Sequence, residues 1–287
     1  MARRNLPRLI AAAALLAVAA TMVIALLGRD GGDDPPQLGG LRVGTVESIT
    51  AGPGDAAAPG GAVRPVRNAT PQPDWRPHTG PVPIFRYHAV AEFPAGEPYP
   101  ELFVEPADFR AQMDWLQAHG YEAVDLRAVE RAWFAGGTLP RRPVVLSFDG
   151  VEGEIADVVL PDLSRRGWPA VVVLDGEAPV PRKPLVERLL AAGWEVEAAG
   201  THAVEARRRL ETELDTRVAN FSFPAGSFDA ANVPLLEFAG YAGATVTGAG
   251  FATRAKPYEM PRITVFGLAG VDGFAEAMRS RGEGVGA

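Results

Sequence analysis

Cysteine is absent from all 287 residues, and histidine occurs only four times, at His78, His88, His119 and His202. The first absence excludes a disulfide framework, a cysteine nucleophile, an iron–sulfur cluster and a zinc ribbon, each of which needs thiolates. The scarcity of histidine leaves any metal centre a very short list of imidazoles. Basic residues are outnumbered as well: 28 Lys and Arg face 35 Asp and Glu, a formal charge of −7. Phosphate backbones are bound by clustered cations, so nucleic acid is excluded as the main partner. What is present, 47% hydrophobic and 22% charged residues, is the balance of a globular chain and not of a disordered or collagen-like one. The length suits one large domain or two small ones.

Residues 9–27 read LIAAAALLAVAATMVIALL, with Thr21 the sole polar side chain. As a helix rising ~1.5 Å per residue, this run is about 28 Å long, close to the bilayer core of about 30 Å. Arg3, Arg4 and Arg8 precede it and Asp30, Asp33 and Asp34 follow. The positive-inside bias therefore predicts a cytoplasmic segment at 1–8, a transmembrane signal anchor at 9–27 and an extracytoplasmic remainder, that is, a single-pass membrane protein. The competing reading is a cleaved signal peptide, for which Ala17-Val18-Ala19 offers a small-x-small site. Cleavage there would leave the apolar residues 22–27 on the mature chain. Residues 28–80 are rich in glycine and proline without apolar periodicity, which predicts a flexible tether. Within it, Asn68-Ala69-Thr70 fits the glycosylation sequon, a match short enough to arise by chance, and reads as an unmodified linker asparagine.

From residue 81 to 281, ahead of a short tail at 282–287, strand and helix signals alternate. Short apolar runs predict strands at 82–87, 122–124, 144–148, 170–174, 195–198, 218–223, 241–247 and 263–266, the pattern of parallel strands buried on both faces. Between them, Pro106 opens a helix that carries Phe109, Met113 and Leu116 at helical spacing and closes at Gly120. Further helices are predicted at 185–192, 234–239 and 272–281. This alternation predicts an α/β domain with a largely parallel sheet, and periodicity alone leaves open whether the sheet is open or closed into a barrel.

Six segments resemble, in order, the polysaccharide deacetylase family, whose domains are also called NodB-homology domains. They are VPIFRYHAV (82–90), FVEPADFRAQMDWLQAHGYEAVDL (103–126), RPVVLSFDG (142–150), VLPDLSRRGWPAVVVL (159–174), FSFPAGSFDAANVPLLEFAGYAGATVT (221–247) and EMPRIT (259–264). The resemblance implies a distorted (β/α) barrel, here preceded by one transmembrane helix and a flexible linker. It also implies a metal-dependent hydrolase, usually a zinc enzyme, that cleaves the carbon–nitrogen bond of N-acetyl groups, or O-acetyl esters, on peptidoglycan or another envelope polysaccharide. In that chemistry, a metal held by one Asp and two His polarises the acetyl carbonyl and a bound water, and a neighbouring Asp takes the proton.

Carried over residue by residue, the resemblance makes Asp149 the candidate general base, standing at the first Asp of the family's T-F-D-D-G. The second Asp, the metal ligand, is Gly150, with Glu152 and Glu154 as the nearest replacements. The family's H-[ST]-x-x-H falls on Ala199 and Ala203 without gaps, or on His202 and Ala206 if Gly200-Thr201-His202 is matched to G-S-H. His202 is thus the remaining metal candidate. Ala225 stands at the oxyanion donor, through its backbone N–H, and His88 and Ser222 are candidate pocket-lining residues. Two readings follow. One is a degenerate deacetylase-like module that binds an envelope glycan or a partner protein and needs no cofactor. The other is an active deacetylase using zinc or another divalent metal. The ligand substitutions favour the first.

Overall fold

The computed structural model describes residues 64–93 and 96–282. The predicted cytoplasmic segment, the anchor run, most of the tether and the tail after residue 282 lie outside the described residues. Among the described residues, no helix is long and apolar enough to cross a membrane.

Seven parallel strands form the centre of the domain: β1 (Ile84–Tyr87), β2 (Pro143–Asp149), β3 (Val171–Asp175), β4 (Glu195–Ala199), β5 (Asn220–Ser222), β6 (Gly243–Thr247) and β7 (Met260–Thr264). Each pairs with the next, and β7 pairs back to β1 through Arg262↔Ile84, Ile263↔Phe85 and Thr264↔Arg86. With β1 also held to β2 by Ile84↔Val145 through Tyr87↔Phe148, the sheet closes into a barrel. The short strand Glu122–Ala123 adds to the lower end of β2. The helices are α1 (Pro106–Ala118), α2 (Leu126–Phe134), α3 (Val159–Arg166), α4 (Lys183–Ala191), α5 (Ala203–Leu214), α6 (Val233–Ala239) and α7 (Gly270–Gly282). Most of the predicted strands and helices occur within a few residues of their expected places. The last strand starts three residues earlier than expected, because Pro261 disguises Met260–Thr264 as a loop.

The period-2 alternation of the strands sorts their side chains. Phe85, Tyr87 and Phe148 point outward and join Phe109, Met113 and Trp194 in the main core between strands and helices. Tyr87 and Phe148 stack at 5.2 Å between ring centroids, and Phe148 and Trp194 at 5.4 Å. Inward at the lower end, Ile84, Val145, Val171 and Met260 meet Leu126 and Val129 of α2, which closes the barrel floor. Asp125 caps that helix, its Oδ1 accepting the Ala128 N–H at 2.7 Å. The barrel therefore has an apolar floor and an upper end free to carry polar groups.

One boundary differs from expectation. Residues 64–80 do not behave as linker: Val66 N–H donates to Ala192 O at 2.9 Å, Asn68 N–H to Gly167 O at 2.8 Å, and Arg76–Pro77 pairs antiparallel with Thr138–Leu139. Val66, Asn68 and Trp75 are buried but follow no helical or strand period, so the glycine- and proline-rich composition conceals them. Asn68 is 2% exposed, and its Nδ2 donates to Ala123 O at 3.1 Å and to Glu122 Oε2 at 3.2 Å, so the sequon asparagine faces inward. Asn68→Ala strands the Ala123 carbonyl, and we expect a loss of about 1–3 kcal/mol in a urea melt. An unchanged midpoint would mean that this segment only rests on the barrel.

Candidate functional site

The upper end of the barrel is built by the inward-facing residues near the C-terminal ends of the strands, where enzymes of barrel fold carry their chemistry. Asp149 is the last residue of β2. Arg86 enters from β1 and Arg262 from β7, the two strands that complete closure. Arg86 Nη2 stands 2.5 Å from Asp149 Oδ2, and Arg262 Nη1 donates to Asp149 Oδ1 at 2.8 Å. His88, just past β1, lies with Nδ1 at 3.6 Å from Asp149 Oδ2. The Asp149 side chain is 19% exposed and that of Arg262 only 4%, so this is a nearly enclosed ion-pair triad. Arg86 also donates to Thr264 Oγ1 at 3.3 Å.

Deeper in the barrel lies a second polar layer. Thr245 Oγ1 donates to Glu197 Oε1 at 2.6 Å and stands 3.2 Å from Ser222 Oγ. Glu197 and Ser222 are buried, and Glu197 Oε2 has no hydrogen-bond partner among the described residues. Burial pushes the Glu197 carboxyl up to about 6, against the charge of Arg262, which pulls it down. Burial pushes Asp149 upward too, but the neighbouring His88 and the charges of Arg262 and Arg86 outweigh it and hold the carboxyl well below the ordinary range. A carboxylate held by two guanidiniums is a poor proton acceptor, because protonation would have to displace both.

The remaining candidates are dispersed. Gly150 follows Asp149 with φ of 84°, its N–H donating to Val173 O at 2.9 Å. An aspartate there would have to hold a left-handed backbone. Glu152 and Glu154 lie at the 3₁₀ turn Gly153–Ile155 and form no ion pair among the described residues. They make no contact with Asp149 or His202. His202 precedes α5, is 71% exposed and pairs instead with Glu177 of the loop after β3, Nδ1 to Oε1 at 3.1 Å. That same oxygen accepts the Thr201 hydroxyl, the Thr201 N–H and the His202 N–H, so Glu177 caps α5 from another loop. The Thr201 hydroxyl and the two backbone donors lower the Glu177 carboxyl to about 2. Ala203 and Ala206 are buried in α5. Gly176 sits so close to Ala206 that even a Cβ on Gly176 would collide with it, so the space a histidine at 206 would need is already filled. Ser222, expected to line the pocket, is instead sealed below the mouth. Ala225 is exposed in the turn whose Ser227 N–H donates to Pro224 O at 3.0 Å.

The site thus brings together Asp149 and His88 and leaves His202, Glu152, Glu154 and Ala225 apart from them. Among the described residues, no three His, Asp or Glu side chains converge to hold a metal ion. The donors themselves do not fit one: Asp149 is committed to two arginines, position 150 has no side chain, and His202 belongs to the Glu177 cap. Arg86, Arg262 and Glu197 are the residues that reasoning from sequence missed. Their signal was a lone arginine within each of two otherwise apolar strands, IFRY and MPRIT, and two glutamates alternating with apolar residues in EVEAA.

No family model matches the chain. A curated relative, the poly-beta-1,6-N-acetyl-D-glucosamine N-deacetylase of Escherichia coli strain K12, is 34% identical over 95 residues. That match covers 33% of this chain but only 14% of the relative. Among solved structures, the Streptococcus pyogenes deacetylase PplD in complex with acetate superposes with a TM-score of 0.61 at 17% identity, covering 70% of this chain and 99% of that one. A polysaccharide deacetylase from Bacillus cereus gives 0.58 at 21% identity, covering 69% of each. These likenesses show the shared barrel fold.

Proposed function

We propose, from the premise that this domain belongs to the polysaccharide deacetylase family, that the protein is a glycan-facing member of that family which holds its polysaccharide without hydrolysing it. The observation that carries this reading is the Arg86–Asp149–Arg262 triad. The residue in the general-base position is a structural anion at the barrel mouth, and the positions that would complete a metal centre are Gly150 with either Ala199 and Ala203 or His202 and Ala206, where His202 is taken up by Glu177. The name of the curated relative supports a β-linked N-acetylglucosamine polymer, or peptidoglycan, as the glycan. The arginine-flanked apolar run at 9–27 supports tethering to a membrane with the domain outside.

The test uses the full chain purified in detergent. Elemental analysis after incubation with zinc or cobalt should find well under one equivalent per chain, while the protein is still retained on an N-acetylglucosamine polymer. One tightly held equivalent of metal would return the active deacetylase reading.

A further inference from the structure

Beside the triad, the mouth opens into an apolar groove that the ion-pair site does not use. Its walls are the loop after β1 and the 3₁₀ turn Gly267–Ala269 after β7, and it encloses about 360 Å³. Phe93, Pro100, Phe103, Glu105, Asp108 and Leu268 line it. The groove adjoins His88 of the barrel mouth through one of its own walls. The His88 ring packs edge-on against Phe103 at 6.1 Å, and Phe103 packs edge-on against Phe93 at 5.9 Å. Its walls are set firmly against each other, since Gly267 approaches the Phe103 carbonyl too closely to admit any side chain. Large apolar side chains nonetheless face solvent here: Phe93, Tyr99 and Phe266 are each close to half exposed, and Leu268 is 80% exposed. Exposed rings gathered at one rim mark an interaction surface, not a core.

The charge around these rings decides among occupants. Residues 89–108 hold five carboxylates, Glu92, Glu97, Glu101, Glu105 and Asp108, and no lysine or arginine. None of the five takes part in a salt bridge among the described residues. An anionic lipid surface or an acidic polymer would be repelled, and a neutral N-acetylated sugar offers the carboxylates hydrogen bonds but no opposite charge. A hexosamine whose nitrogen is free carries an ammonium that both the carboxylates and the aromatic faces attract, with ring C–H groups left to stack. We infer that this groove binds the de-N-acetylated, cationic stretches of a hexosamine polymer, so that the domain reads the product of the chemistry its family performs. This inference rests on the glycan-facing reading above and sharpens it.

The test titrates the full chain in detergent, at about pH 6 where a free amine is cationic, with a glucosamine hexamer, an N-acetylglucosamine hexamer and hexalysine. The expected result is at least tenfold tighter binding of the glucosamine hexamer than of either other ligand, with the advantage shrinking as salt is raised. Glu105→Gln with Asp108→Asn should remove most of that advantage and its salt dependence. Phe93→Ala should weaken the glucosamine hexamer several-fold at every salt concentration. Equal or tighter binding of the N-acetylated hexamer overturns the inference and leaves the glycan-facing reading standing. Binding of neither sugar overturns both. Hexalysine binding as tightly as glucosamine overturns it in favour of a basic polypeptide partner.

Discussion

Asp149→Asn is expected to destabilise the domain by about 3 kcal/mol, a larger effect than most single substitutions produce. The carboxylate lies 2.5 Å from Arg86 and 2.8 Å from Arg262, and the Arg262 side chain is almost wholly enclosed. An amide of the same shape leaves two guanidiniums facing each other with only Glu197 nearby to offset them. Removing one partner of a buried pair costs about 3–5 kcal/mol, and the partial exposure of Asp149 puts this site at the lower end. For a domain of this size the melting temperature should fall by about 6–12 °C. An aspartate kept for proton transfer would behave differently, because its amide variant folds normally and loses only turnover. An unchanged melting temperature would therefore remove the structural role assigned to Asp149. The same argument sets an acid limit. Because the folded carboxyl lies below its unfolded value of about 4, its contribution is intact above that pH and is lost as pH falls further. Asp149→Asn should flatten that part of the acid titration.

The second large effect lies deeper in the barrel and has the opposite sign. Glu195, at the start of β4, is fully buried, its Oε2 accepting the Arg127 N–H at 3.2 Å and its Oε1 the Asn220 amide at 3.2 Å. Burial, reinforced by the negative charge of Asp125, pushes its carboxyl up to about 8. Glu130, also on this lower side, is pushed up by burial to about 7. A carboxyl whose folded value is raised stays protonated in the folded state while the unfolded chain ionises. Stability contributed by this layer is therefore fully present below about pH 4.5 and declines as pH rises towards 8. Glu195→Gln keeps the shape, and its carboxamide oxygen can still accept the Arg127 N–H while its N–H meets the Asn220 oxygen once that amide turns over. Each tenfold rise in the proton affinity of the folded carboxyl corresponds to about 1.4 kcal/mol, so the variant should be about 2–4 kcal/mol more stable than the parent at pH 8 and nearly equal to it at pH 5. Guanidinium melts at the two pH values measure this. A gain of the same size at both would show that the Glu195 carboxyl is not raised in the folded state.

Much of the architecture was legible because parallel strands buried on both faces leave short apolar runs, and because Pro106, Gly120, Gly193 and Gly240 mark helix ends. Closure was not legible from periodicity, since it depends on β7 meeting β1 across some 180 residues of chain. The start of the domain was hidden for a related reason: Val66, Asn68 and Trp75 act as isolated anchors and give no repeating signal. In the site, Asp149 at the end of an apolar strand and the missing side chain at Gly150 could be read directly. The arginines that hold Asp149 could not, because they come from the first and last strands of the barrel and nothing local links them. His202 looked like a surviving ligand, and only the trajectory of the loop carrying Glu177 shows that it belongs to a helix cap.

If the barrel mouth holds its glycan without hydrolysing acetyl groups, as proposed, acetate release is the deciding readout. The full chain in detergent, supplied in turn with zinc, cobalt and nickel, would be incubated with N-acetylglucosamine oligomers and with peptidoglycan. Acetate is expected at the level of metal-only controls, with the substrates recovered intact. Acetate released catalytically, stopped by a chelator and restored by added metal, would contradict it.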